Sequence, residues 1–413
     1  MSALAFVWDQ GQALEFLDEP VADALIMNRP LRAHQDDALG PPAPTRVQAL
    51  GEIPPQARDY LLVRGHVFLT RRLVHRFVEA ARASGAQTAV LALEPGLYVR
   101  STRALMDVED GADGRVRYGV YWRAAPGPPT ASELAGATPV VVSIKEHPLR
   151  NDMLARRGVE AEGFDVALTT CAVLHIRHWS HLVIANYVAL FCHWFDLTPR
   201  KALRYLGALV RAGWPSRHRL LRALSVRGRR CNVHASAVVE ASLLGDQVEV
   251  GPCAVVRGCV LGDRVKIDSF ANVNYTSIGA GGYVSFHTVC NLSVLYPQAM
   301  LCQIGAQMTV LGRRATALSG SLLMDLRDPY LVEEVKVLDR GQRVASGRKL
   351  LGPLIGHDAI VAAGVTVAPG VVVPAGAYLV RDPAGIVRRV EDTLEPRAPH
   401  MPHQGGVAPV KKR

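Results

Sequence analysis

Between residues 233 and 284 an aliphatic residue returns every five or six positions. Val233, Val239, Leu244, Val250, Val256, Leu261, Ile267, Val273, Ile278 and Val284 carry the beat. The triplets Leu244-Gly245-Asp246, Leu261-Gly262-Asp263 and Ile278-Gly279-Ala280 stand 17 residues apart. Such a period matches neither the 3.6 of a helix nor the 2 of a strand. A parallel β-helix explains it. Each face of a triangular coil takes about six residues, the aliphatic residue points inward, and its successor at the corner must be small. The beat resumes at Ile304-Gly305 and Val310, then at Ile355-Gly356, Val361, Val367 and Val373. An all-β parallel β-helix is therefore predicted over 231–386.

Two places interrupt the rhythm. Ile278 and Ile304 are 26 residues apart rather than 17, which predicts an extra loop of about nine residues bearing His287, Asn291 and Tyr296. A longer insertion spans Ser319 to Gly352. It is expected to cross to a neighbouring subunit or to close an acceptor pocket.

The first 195 residues have another pattern. YLLVRGHVFL (60–69), QTAVLAL (87–93) and TPVVVSI (138–144) read as buried strands, while Leu73, Val74, Phe77, Val78 and Ala81 keep helical spacing. Strands alternating with helices predict an α/β domain over 1–195. In 196–230, Leu203, Leu206, Leu209 and Val210 share a helical face, and a second short helix follows Pro215. These helices are expected to link the domains and cap the open end of the solenoid. The tail, 387–413, has few apolar residues and is expected to be disordered.

Charge alters the reading at one place. Of the net +10, Arg200 to Arg230 holds ten Lys and Arg, and no Asp or Glu lies between Leu197 and Val239. The remainder is close to neutral, which argues against a nucleic-acid binder and leaves a weak contact between 200–230 and an anionic membrane open. Seven scattered cysteines suggest no disulfide framework or zinc site, and no apolar stretch has membrane-spanning length. The N-terminus lacks a signal-peptide pattern, so a cytoplasmic setting is expected.

The repeat resembles the hexapeptide-repeat transferases, whose fold is a left-handed β-helix and which usually form trimers. LIMNRPLRA (25–33), LLVRGHVFLT (61–70), HIRHWSHLVIANYVAL (175–190) and RKLLGPLIGHDAIVAAG (348–364) extend the resemblance to the bifunctional sugar-1-phosphate uridylyltransferase/glucosamine-phosphate acetyltransferase family. The first domain then resembles a diverged nucleotidyltransferase. The family's glycine-rich phosphate loop is missing before residue 30, and Arg64-Gly65-His66 stands where the family has Asn-Gly-Asp. That aspartate is the family's magnesium ligand, so loss of nucleotidyl transfer is expected and no metal is expected.

The resemblance implies acyl transfer from acetyl-CoA or another acyl-CoA to a sugar or nucleotide-sugar. It makes His287 the general base, with Asn291 orienting it or holding the acyl carbonyl. Arg29 and Tyr296 would bind substrate, while Ala363, Gly364 and Pro369 would admit CoA to the backbone. The equal alternative for His287 is a corner histidine without chemistry, and His357 is its rival. Sugar-1-phosphate nucleotidyl transfer and a non-catalytic sugar-nucleotide-binding homotrimeric scaffold remain the alternatives.

Overall fold

A computed structural model describes residues 4–111, 113–149, 166–196, 199–212, 216–303, 305–326, 334–387, 389–390, 400–404 and 406–409. The N-terminal region forms a mixed sheet of β1 (Leu4–Trp8), β2 (Thr45–Val47), β3 (Tyr60–Arg64), β4 (Thr88–Leu93), β5 (Val116–Arg123) and β6 (Thr138–Val141). Their order is β6-β4-β5-β3-β1-β2. β1 is parallel to β2 and β3, and β5 runs antiparallel to β3 and β4.

Side chains alternate across this sheet. Phe6, Tyr60, Leu62, Val90 and Tyr121 form a small core on one face with Ile53 and Leu134. Ala5, Leu61, Val63, Leu91 and Trp122 face the main core, which α1 (Leu31–Leu39), α2 (Arg71–Ala83) and α3 (Ser180–Phe195) help to fill. The predicted strand over 60–69 is two strands. Chain direction changes at Gly65-His66, and Val67–Leu69 pairs instead with Val173–His175. Gly65 fits because a Cβ there would lie 2.8 Å from the Asp9 backbone.

The C-terminal region is a stack of coils. One face holds eight parallel strands from Val226–Arg227 to Val372–Val373, and a second holds eight from Asn232–Val233 to Tyr378–Leu379. The third holds five, from Val238–Glu240 to Gly305–Gln307, and Leu322–Leu323 pairs with Thr366–Val367 further along. These stacked sheets fit a left-handed β-helix. Its interior is the predicted aliphatic set, with Leu244, Val250, Val256, Leu261, Ile267, Val273, Ile278 and Val284 all buried. Tight stacking explains the corner glycines. A Cβ on Gly262 would meet the Ala280 backbone nitrogen at 2.6 Å, and one on Gly356 the Ala375 nitrogen at 2.5 Å.

The expected nine-residue loop does not exist. Ser277–Ile278 pairs in register with Val294–Leu295, and Asn272–Asn274 with Val289–Asn291. The coil thus continues at 17 residues through Leu295. The next pairing, Leu295 with Leu311, closes a coil of 16. The beat looked broken because Tyr296 occupies the corner position of Gly245, Gly262 and Gly279.

The longer insertion is real but goes elsewhere. Its hairpin, Lys336–Asp339 with Gln342–Ala345, folds back onto the N-terminal domain of the same chain. The Arg177 guanidinium donates to both oxygens of Asp339 (2.8 and 3.0 Å), and Val335 and Val337 enter the main core. The linker helices are α4 (Pro199–Ala212) and α5 (Arg217–Leu224). The Leu221 carbonyl accepts from the Ala241 amide (2.7 Å) as a preceding coil would, so α5 covers the first coil of the third face. In the tail, expected to be disordered, His400–His403 and Gly406–Pro409 pair as a hairpin. Among the described residues no helix is long and apolar enough to cross a membrane.

Candidate functional site

His287 occupies the corner between the second and third faces, in the left-handed backbone region at φ 56°. Phe270 and Cys253 take the same conformation one and two coils earlier (φ 60° and 57°). The imidazole lies flat on the Phe270 ring, 5.1 Å between centroids and 3° between planes, and Phe286 stands edge-on at 5.9 Å. His287 is exposed to solvent. Strand register places Gly320 and Gly364 over it two and three coils later. Ala363 and Gly364 therefore stand where Phe286 and His287 do, on one ridge. At about 4.8 Å per rung the separation is about 14 Å. Pro369 is not on this ridge. It lies at the next corner, where Gly370 packs beneath the insertion's Val335 and Val337.

Asn291 projects from the third face. Its Oδ1 accepts from Asn274 Nδ2 (2.7 Å), which also reaches Asn272 Oδ1 (2.9 Å). No hydrogen bond joins Asn291 to His287. Phe270, Phe286, Val289 and Leu322 are large apolar residues left exposed on this corner and face.

Tyr296, expected to bind substrate, is wholly buried between the domains. Its hydroxyl donates to Glu19 Oε1 (2.6 Å) and accepts from the Leu25 amide (3.2 Å). Arg313 donates to Glu19 Oε2 (3.0 Å) and lies over the Tyr296 ring. Tyr296 has no surface for a ligand and serves as a strut. Its phenol replaces the corner glycine because the N-terminal domain supplies a partner there.

Beside this strut lies a polar cavity of about 450 Å³ lined by Asp18, Glu19, Asp23, Arg32, Arg313 and His357, among others. The Arg313 amide donates to His357 Nδ1 (2.8 Å), so the imidazole proton sits on Nε2, 3.9 Å from Glu19 Oε2. Burial lowers the His357 pKa, so the contact is not an ion pair, and Nε2 has no hydrogen-bond partner. Burial also lifts the Glu19 carboxyl above its usual range, against the pull of Tyr296 and Arg313. Sequence reasoning missed this cluster, since Glu19 and Arg313 are 294 residues apart.

Arg29 is half exposed, pairs with Asp37 (2.7 Å), and does not line the cavity, whereas Arg32 does. Its neighbour Asn28 docks the domain, donating to the carbonyls of Val260 (3.0 Å) and Ile278 (2.7 Å). His66 is buried against His175, with ring centroids 4.8 Å apart. The hollow beside it, walled by Trp8, Asp9 and Arg64, measures only about 10 Å³. Among the described residues no group of three or more His, Cys, Asp or Glu is arranged to hold a metal ion.

No family model matches the sequence, and no curated protein matches it. Among solved structures, the chain is similar to a hexapeptide transferase family protein from Anaplasma phagocytophilum. The identity is 16% over 37% of this chain and 76% of that one, with a TM-score of 0.18. The β-helix assignment accordingly stands on the strand pairing of the coils themselves.

Proposed function

We propose that this chain is a hexapeptide-class acyltransferase that moves an acyl group from acetyl-CoA or another acyl-CoA to a sugar or nucleotide-sugar. The supporting observation is the ridge. One exposed histidine, held flat by Phe270, shares a corner with Ala363 and Gly364, where small residues leave the backbone approachable. In this reading His287 takes the proton from the acceptor's amine or hydroxyl, the freed lone pair attacks the thioester carbonyl, and the C–S bond then breaks to release CoA as its thiol, which takes the proton back from His287. Asn291 offers its amide to the acyl oxygen. CoA lies along Ala363 and Gly364. The exposed Phe270, Phe286, Val289 and Leu322 are covered by neighbouring copies in a homotrimer.

The test is His287→Ala. Turnover should fall by roughly 100-fold or more while CoA affinity holds, since the base acts only on the acceptor. Light scattering should give a trimer. Full turnover in His287→Ala, or a monomer at micromolar concentration, would reject the proposal. The polar cavity favours a second reading. It has the size and mixed charge to hold a sugar ligand without chemistry. Thermal stabilisation by nucleotide sugars without any acyl-CoA would select this reading.

A further inference from the structure

A second hollow, larger and of opposite character, has no place in acyl transfer at the ridge. It measures about 910 Å³ and lies between α3, α4, α5 and the β-helix. Leu190, Phe191 and Trp194 of α3 form one wall, Leu221 and Leu224 of α5 another, and Tyr275 at a coil corner closes the far side. The charged groups of the lining, with His218, gather around α5. Arg217 and His218 stand at its start, with Glu240 and Arg257 opposite. Glu240 receives both His218 Nδ1 (2.8 Å) and Arg257 Nε (3.0 Å), whereas Arg217 is exposed and forms no ion pair among the described residues. The mouth therefore keeps a net positive charge.

We infer that this groove binds a single-chain amphiphile, its hydrocarbon tail along α3 and its anionic head at Arg217 and Arg257. Its volume lies within the range of small-molecule sites. A long apolar wall with cations at one end fits a molecule of the same asymmetry. A nucleobase or a sugar would leave its polar groups unpaired against Phe191 and Leu221. The adjoining helix α4 exposes Leu203, Leu206, Leu209 and Val210, so apolar surface continues outward from the groove. The absence of any acid from Leu197 to Val239 keeps repulsion of an anion low on this side. The inference is independent of His287 and of acyl transfer.

The experiment titrates the full chain with cis-parinaric acid and reads energy transfer from tryptophan, since Trp194 lines the groove. Saturable transfer is expected, reduced in Trp194→Phe. Dodecanoate should displace the probe, dodecanol and dodecyltrimethylammonium should do so poorly, and decanoate should be roughly tenfold weaker than dodecanoate. Leu221→Trp, which fills the groove, should weaken binding at least tenfold. Arg217→Glu, at an exposed position where folding is not at stake, should weaken carboxylate binding alone. Tyr378→Ala on the last coil should change nothing. No saturable transfer, equal binding of the cationic amphiphile, or unchanged affinity in both groove variants would overturn the inference. So would binding to phosphatidylglycerol vesicles that dodecanoate cannot compete, which assigns the patch to a bilayer. An oligomer dissociated by Leu221→Trp without dodecanoate binding would assign it to a second copy and equally overturn the inference.

Discussion

Lowering the pH should loosen the N-terminal domain well before ordinary carboxylates titrate. The cause is a group of buried histidines. Burial holds His66 and His178 down to about 4 and His181 to about 3. Arg64 adds to the depression at His66. His178 and His181 are neutral members of a bonded array. Each Nδ1 accepts a backbone amide, and each Nε2 donates to a carbonyl, of Leu338 (3.1 Å) and Ala104 (2.9 Å) respectively. Unfolded, each would titrate near 6.5. Between roughly pH 6.5 and 4 the unfolded chain therefore binds more protons, and stability falls as pH falls. Integration to pH 5 gives a loss of about 2 kcal/mol per histidine, about 6 kcal/mol for the three. That is comparable with the whole stability of many domains. Glu19 works in the opposite sense. Its raised pKa, like that of Asp325, favours the protonated fold, so acidification returns some stability there, whereas burial also lowers His34, His175 and His357 and adds to the loss.

The assay is urea unfolding from pH 7.5 to 5, read by tryptophan fluorescence. Every tryptophan (Trp8, Trp122, Trp179, Trp194 and Trp214) precedes the β-helix, so the signal belongs to the region that holds the histidines. His66→Leu removes one titrating group without removing a bond to Nε2, which has none. Whatever its stability at pH 7.5, the variant should lose about 2 kcal/mol less than the parent on going to pH 5. A parent stability that is flat over this range, or a variant that follows the parent's slope, would refute the assignment of these histidines as buried and neutral.

Two further substitutions probe the architecture. Gly262→Ala places a methyl 2.6 Å from the Ala280 nitrogen, where only backbone can yield, and should cost about 3 kcal/mol or prevent folding, measured by circular dichroism in urea. Tyr296→Phe leaves the Leu25 amide and one oxygen of Glu19 without their buried partner and should cost about 1–3 kcal/mol in the same measurement. No loss at all would mean that the domains do not depend on this strut.

The β-helix was legible in the sequence because its interior repeats locally. Each of Leu244, Leu261 and Ile278 answers only to the residue one coil away, so a period of 17 records the fold directly. The same simplicity misled at Tyr296. A corner rule learned from glycines treated a tyrosine as an interruption, although the coil ran on beneath it. What decided that position was Glu19, 277 residues away, and no periodicity reports such a pair. His287 stood out as a candidate by type and resemblance alone. Its platform was hidden, because Phe270 becomes its neighbour only when one coil stacks on the next. The insertion's destination was illegible for a related reason. Asp339 finds Arg177 across 162 residues, and a single chain gives no local sign of that pairing.

These long-range contacts bear on what the first domain is for. Val294, Tyr296, Val310 and Leu354 of the coils share one buried cluster with Leu61, Val63, Trp122 and Trp179. Asn28 reaches from a hairpin tip into two successive coils, and Arg177 and His178 hold the insertion. Arg29 and His66 are the positions where the resemblance would place nucleotide chemistry. Arg29 lies beside a docking turn, and His66 is packed against a second histidine with almost no space around it. A domain that spends its motif positions on contacts with the coils is built as their buttress. A polar cavity lies at the seam, where Glu19, Arg32, Arg313 and His357 are contributed by both halves. Separating the halves would therefore expose the main core and dismantle that cavity together. Any ligand held there would in turn stabilise the seam, because it would bind only when both halves are folded and joined.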